Sequence, residues 1–301
     1  MGVPHSERYF YKLAPDPAAR QADHMTRRKL ETTATRASDP RVPPGTQDRQ
    51  FVTSLARGLE VLRAFGPGEA TLGNQEIAER TGLSKPTISR LTHTLVDLGY
   101  LSYSARSGRY QLGPGVLALG YAMIAGLEVR ERARPMMEDL AASANVTVAI
   151  GERDRLNVVY LDCCRGLQTV ALSLNVGSRI PLGSTALGRA ILAKLPAGER
   201  EYLLRAMRER MPEDFPKIEQ GVEQAIRELE IQGFCTSFGD WRKDVNAVGV
   251  PVASLDGERL FGLICGGPSF TLSTETLMQD LGPRLVEIAE RLSAPRLVAA
   301  D

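Results

Sequence analysis

Between Phe51 and Leu112 the spacing of apolar residues changes period once, and that change narrows the fold more than any other feature of the chain. One helix face repeats roughly every 3.6 residues, and one strand face every 2. Leu55, Leu59, Leu62 and Phe65 stand at i, i+4, i+7 and i+10 and predict an amphipathic helix, stopped by Gly66-Pro67-Gly68. A short second helix is predicted from Asn74, as N-cap, to Arg80, burying Ile77 and Ala78. Thr81-Gly82-Leu83 reads as a tight turn. A third helix follows, with Ser84 as N-cap, Pro86 in its first turn, Ile88, Leu91, Leu95 and Leu98 on its apolar face, and Gly99 closing it. Then Tyr100–Tyr103 and Arg109–Leu112 alternate around the polar stretch Ser104–Gly108, which reads as a β-hairpin. Helix, short helix, glycine turn, helix and hairpin is the order of a winged helix-turn-helix.

What such a unit does follows from the residues left outside. With Ile88, Leu91 and Leu95 turned inward, the opposite face of the third helix carries Pro86, Ser89, Arg90 and His93, with Ser84, Lys85 and Thr87 at its N-terminal end. A recognition helix presents that end to the major groove, where hydroxyls and Lys meet phosphates or base edges and Arg can bond guanine bidentately. Arg106 and Arg109 flank the hairpin tip, in reach of backbone or minor groove. Each of these residues alone would read as a solvated surface group. Together with the turn and the wing they predict a double-stranded DNA partner. The net charge of +1 means that this contact must come from local clustering and not from a global field. Asp97, further along the same side, acts against unrestricted phosphate binding.

Other functions are limited by what the chain lacks. Its three histidines are His5, His24 and His93, so the C-terminal half has none, and neither a Ser-His-Asp nor a Cys-His nucleophile can be assembled there. No enzyme, cofactor or metal site is expected. Cys163, Cys164, Cys235 and Cys265 show no C-x-x-C spacing and no disulfide framework; a redox sensor using Cys163 and Cys164 is the alternative reading. No apolar run is long enough to span a membrane and no signal-peptide core is seen, so a cytoplasmic protein without membrane contact is expected. Residues 1–50, rich in Ala, Pro, Arg, Asp and Thr, are expected to be a disordered tail. Its Arg27-Arg28-Lys29 is read as a solvated charge run, and Met25 is an alternative start to Met1.

The chain resembles the IclR family of transcription regulators over about residues 51–292. Phe51–Leu62 resembles the opening of their DNA-binding domain, and residues 75–91 (QEIAERTGLSKPTISRL) their helix-turn-helix. Tyr110–Gly113 is similar to their second wing strand and linker start, Gly177–Ala193 to their effector-domain signature, and Gly266-Gly267-Pro268 to a strand end near their ligand pocket. The resemblance implies a GAF-like effector domain with a central antiparallel sheet. It also implies a homodimer or dimer of dimers on a palindromic operator, a small-molecule effector such as an organic or aromatic acid, and control of catabolic genes.

Read from its own residues, the C-terminal half mixes strands and helices without βαβ alternation, so the class is α+β. A helix over Gly115–Gly126 is followed by one over Val129–Ala144, in which Pro135 predicts a break or kink. Strands are predicted at Val146–Ile150, Val158–Asp162, Thr169–Leu174, Phe234–Phe238, Ala247–Val252 and Leu260–Cys265. Helices are predicted over Thr185–Leu195, from Glu199, over Ile218–Gln232 and over Glu275–Leu292. The domains are thus a tail (1–50), a winged helix-turn-helix (51–112), a linker helix (113–128) and an effector-binding domain (129–301). Ser184, Thr185, Ala186 and Leu187, at a helix start with accessible N–H groups, suit a carboxylate. The resemblance adds Asp240, Trp241, Asn246, Ala247, Ile264, Cys265 and Gly266 as further walls of the pocket. Where family members often carry serines in the last strand, this chain has Ile264 and Gly266.

Overall fold

The computed structural model describes residues 51–66, 68–167 and 174–294 of the chain. The expected tail, and all but Leu174 of the expected strand Thr169–Leu174, lie outside the described residues. The chain divides into two compact units, residues 1–117 and 118–301.

The first unit contains α1 (Thr53–Arg63), α2 (Asn74–Thr81), α3 (Lys85–Asp97), β1 (Leu101–Ser104), β2 (Arg109–Leu112) and the start of α4 (Pro114–Ala125). The three helices and the hairpin are those expected from the sequence. Leu72 adds a bridge to Tyr110, their backbones exchanging hydrogen bonds of 2.9 and 2.8 Å. Val61, Leu72, Ile77, Ile88, Leu95 and Leu101 form the core. Gly82 turns α2 into α3 at φ +68°, a conformation that favours glycine. Two predicted faces need correction. Leu55 is 62% and Leu59 46% exposed, whereas Val61 is fully buried. The α1–α3 seam runs along Gly58, next to Leu91, and Val61. A glycine carries no apolar signal, so the periodicity settled on its neighbours. On α3, Leu98 is 63% exposed and Thr92 takes an inward position, its hydroxyl donating to Ile88 O at 2.9 Å. That bond lets a polar residue sit in the core. The N-cap of α2 is Gly73, one residue before the expected Asn74.

The second unit holds the rest of α4, α5 (Glu128–Ala144), β3 (Thr147–Asp154), β4 (Asn157–Arg165), β5 (Arg179–Pro181), α6 (Ala186–Lys194), α7 (Ala197–Arg210), α8 (Phe215–Gln232), β6 (Cys235–Phe238), β7 (Val245–Ala253) and β8 (Leu260–Pro268). A short turn, α9 (Thr274–Thr276), a π turn (Leu277–Leu281) and α10 (Gly282–Ser293) complete it. The six strands form one antiparallel sheet in the order β5-β4-β3-β8-β7-β6. Strand alternation divides the core in two. Val148, Ile150, Val248, Val250, Leu263 and Cys265 face α5 and α10. Ala149, Val158, Tyr160, Ala247 and Ile264 face the side of α6, α7 and α8. The fold is therefore α+β, as expected.

Three differences have local causes. Helix α5 runs unbroken through Pro135, because Ala133, Met137, Leu140 and Ala141 bury one face and outweigh the single lost N–H. The final helix is not continuous: Gly282 N–H bonds Leu277 O, five residues back, just before Pro283, which has no N–H to continue an α-type ladder. Strand β5 is too short to leave a periodic signal. The start of α6 lies directly on the sheet. A Cβ on Gly249 would stand 2.5 Å from Ala186 O, and one on Gly262 2.8 Å from Leu187 O. Among the described residues no helix is long and apolar enough to cross a membrane.

Candidate nucleic-acid interface and effector cavity

On α3, Lys85, Pro86, Ser89, Arg90 and His93 are exposed and Thr87 is half-buried. Ser84 caps the helix in extended conformation, with its hydroxyl 2.9 Å from that of Thr87. Lys85 Nζ lies 3.4 Å from Gln75 Oε1 on α2. His93 Nδ1 lies 3.1 Å from Asp97 Oδ2, an exposed pair in which the acid offsets the charge of a protonated ring. The Arg90 and Arg106 guanidinium groups have no partner among the described residues, and both project into solvent. This leaves cationic groups uncommitted on the helix and at the wing tip.

Arg109 flanks the tip as expected, paired with Ser104 at the turn end of the hairpin, but its side chain is directed to Thr71 and Glu76. Its Nε donates to Thr71 Oγ1 at 2.9 Å, and its Nη2 to Thr71 O and Glu76 Oε1, both at 3.0 Å. It therefore ties the turn end of the wing to Thr71 and to Glu76 of α2. Glu76 in turn accepts from Gly73 N–H at 2.7 Å, and this bond, with that from Arg109, lowers its carboxyl below the usual range. The sequence does not show where this side chain turns, because its partners Thr71 and Glu76 lie far back along the chain.

In the second unit a cavity opens on the α6 side of the sheet, with about 500 Å³ of empty space including its opening to solvent. Its floor is one cross-strand row: Thr147 pairs with Gly266, Gly266 with Ala247 and Ala247 with Ser237. Tyr160, Leu174, Ile180, Val245, Ile264, Trp241 and the start of α6 at Thr185-Ala186 form its walls. Thus Thr185, Ala186, Trp241, Ala247, Ile264 and Gly266 are brought together as expected positions on one cavity. Five others are not. Cys265 and Asn246 fall on the opposite strand parity: Cys265 packs toward α5 and α10, and Asn246 Nδ2 donates to Leu272 O at 3.1 Å. Leu187 is core, wedged against Gly262. Asp240 turns to the buried Arg189 at 2.6 Å, whose Nη1 also donates to Thr236 O at 3.1 Å. Ser184 contributes its carbonyl, which accepts from Ser237 Oγ at 2.9 Å. Sequence reasoning missed Thr147, Tyr160, Ile180 and Ser237. Thr147 stands out in an apolar strand, but only strand pairing puts it in a row with Gly266.

The four cysteines are free thiols. Burial raises all four: Cys164 to about 11, Cys265 to about 12, and Cys163 and Cys235 upward as well. Among the described residues no group of three or more His, Cys, Asp or Glu is placed to hold a metal ion.

Comparison with known proteins agrees with this geometry in both units. Residues 54–105 match the profile described as the IclR helix-turn-helix domain, and residues 121–294 that described as bacterial transcriptional regulator IclR C-terminal. The chain is 37% identical over 246 residues to the HTH-type transcriptional regulator TsaQ1/TsaQ2 of Comamonas testosteroni, covering 81% of this chain and 88% of that one. It is 28% identical over 225 residues to the Pca regulon regulatory protein of Pseudomonas putida, covering 74% and 77%. The crystal structure of an IclR family transcriptional regulator from Brucella abortus matches with a TM-score of 0.78 at 50% identity, covering 84% of this chain and 97% of that one.

Proposed function

The chain belongs to the IclR family of transcriptional regulators, DNA-binding proteins with an effector-binding domain and not enzymes, and from that premise we propose how its two units divide the work. The first unit reads an operator through α3. Arg90 supplies an uncommitted cation and Lys85 one held only by Gln75, with Ser84, Pro86, Thr87, Ser89 and His93 around them, and Arg106 reaches from the wing. Arg109 acts indirectly by holding the wing to α2. The observation that carries this reading is the uncommitted Arg90 on the exposed face of α3, in one unit with an equally uncommitted Arg106.

The second unit binds a small organic or aromatic acid in the cavity above the Thr147–Gly266–Ala247–Ser237 row, and occupancy alters operator binding in the control of catabolic genes. The first turn of α6 offers N–H groups without helical acceptors, which suit a carboxylate. The protein acts in the cytoplasm as a homodimer or dimer of dimers. Leu117, Leu119, Tyr121 and Met123 of α4 are exposed, an apolar surface that a second copy would cover. The thiol-sensor alternative is disfavoured, since burial holds the thiols protonated at neutral pH.

The test is footprinting on the DNA upstream of the gene, with and without a panel of organic and aromatic acids. A salt-sensitive footprint that changes with one acid is expected. A footprint indifferent to every acid would leave the α3 reading standing and remove the effector role. Absence of even non-specific binding at low salt would sink the α3 reading.

A further inference from the structure

The polar groups of the cavity constrain the chemistry of its ligand. Tyr160 is 2% and Thr147 7% exposed, and both line the cavity. Neither hydroxyl has a hydrogen-bond partner among the described residues, and neither is among the polar atoms sealed off from any opening. The other hydroxyls are committed. Thr185 Oγ1 donates to Pro181 O at 2.7 Å and accepts from Gly188 N–H at 3.2 Å, and Ser237 Oγ donates to Ser184 O. Two buried hydroxyls left open on one cavity are costly unless a ligand or water meets them.

Charge is scarcer still. Among the described residues that line the cavity there is no Lys, Arg, His, Asp or Glu. Arg165, beside the wall residue Leu174, is not itself a lining residue: its Nη2 donates to Leu174 O and, at 3.1 Å, to Asn175 Oδ1, and its Nε is buried without a partner among the described residues. Residues 168–173 read Gln-Thr-Val-Ala-Leu-Ser and hold no ionisable side chain. Burial keeps the Tyr160 phenol protonated at physiological pH. Among the described residues of the wall, the positive end of α6 is the feature suited to an anion, and its strength is that of about half a charge. Gly266 and Gly267 add no side chain to the lining, and the indole of Trp241 supplies a flat, largely apolar ring.

We infer, resting on the effector-site reading above, that the ligand is a flat, aromatic molecule with no more than one negative charge and at least one uncharged hydrogen-bonding substituent. Its anionic end sits at the first turn of α6 and its neutral substituent meets the hydroxyl of Tyr160 or Thr147. Dicarboxylates and phosphate esters are excluded, because a second charge would be desolvated with no cation to meet it.

Trp241 is the chain's single tryptophan and lines the cavity, so its emission reports occupancy. The full chain is titrated with benzoate, 4-hydroxybenzoate and terephthalate, which share a ring and differ in substituent and charge. 4-Hydroxybenzoate is expected to bind at least about tenfold more tightly than terephthalate. Tyr160→Phe or Thr147→Val is expected to weaken 4-hydroxybenzoate about tenfold, the worth of one good hydrogen bond, while benzoate changes by less than about threefold. Thermal melts check that both variants fold. Terephthalate binding as tightly as 4-hydroxybenzoate would overturn the charge limit, and two variants that bind like the parent would overturn the hydroxyl assignment; the effector reading survives both. No change in Trp241 emission with any of the three, together with a footprint indifferent to the wider acid panel, would bring down the effector reading and this inference with it.

Discussion

The outward face of α3 and the cavity beside α6, the two sites proposed above, are built in opposite ways. The α3 residues lie within one helix, point outward, and owe little to the rest of the fold beyond the orientation of that helix. The cavity draws on strands from across the sheet and on a helix start, and no two adjacent residues of its floor row come from the same strand. A single side-chain change should therefore affect function alone at α3, but function and stability together at the cavity.

The largest expected effect tests that contrast where the sheet approaches α6. Gly249→Val puts a branched side chain where even a Cβ meets Ala186 O at 2.5 Å. It should cost about 3 kcal/mol or more in the second unit, by the usual penalties for overpacking a core. Calorimetry would show the loss, and a melt like the parent's would mean that the α6–sheet approach is looser than described. Arg90→Ala should leave the melt within about 0.5 kcal/mol, as for exposed residues generally, yet weaken operator binding roughly 10- to 100-fold, the usual worth of a bidentate base contact. An unchanged operator affinity would move the reading site elsewhere on the first unit. The smallest effect concerns the thiols. With Cys164 raised to about 11 and Cys265 to about 12, a thiol reagent at neutral pH should label the native protein slowly and the denatured protein fully. Rapid labelling of Cys164 in the native state would revive the redox reading.

The same contrast explains what could be read in advance. Helix order, glycine turn and hairpin were legible because each rests on spacing within a few residues, and Ser84, Lys85 and Arg90 followed from the face left over. The place of Arg109 beside the tip was legible, but its partners Thr71 and Glu76 were not, because they are more than thirty residues away. In the cavity, Thr185, Ala186 and Trp241 could be named as segments, but Cys265 and Asn246 were assigned to the wrong side. Strand parity decides side, and parity depends on which neighbour sets the register.

The sequence by itself determined the order of the helices and hairpin of the first unit, the polar outward face of α3 and the α+β class, since these depend on local periodicity and on turn residues whose backbone preferences are intrinsic. Only the tertiary structure decided that Thr147, Gly266, Ala247 and Ser237 form one floor, that Tyr160 opens onto it, and that α6 begins directly above Gly249. Those facts arise from pairing between distant strands and from close packing, and neither leaves a periodic mark along the chain.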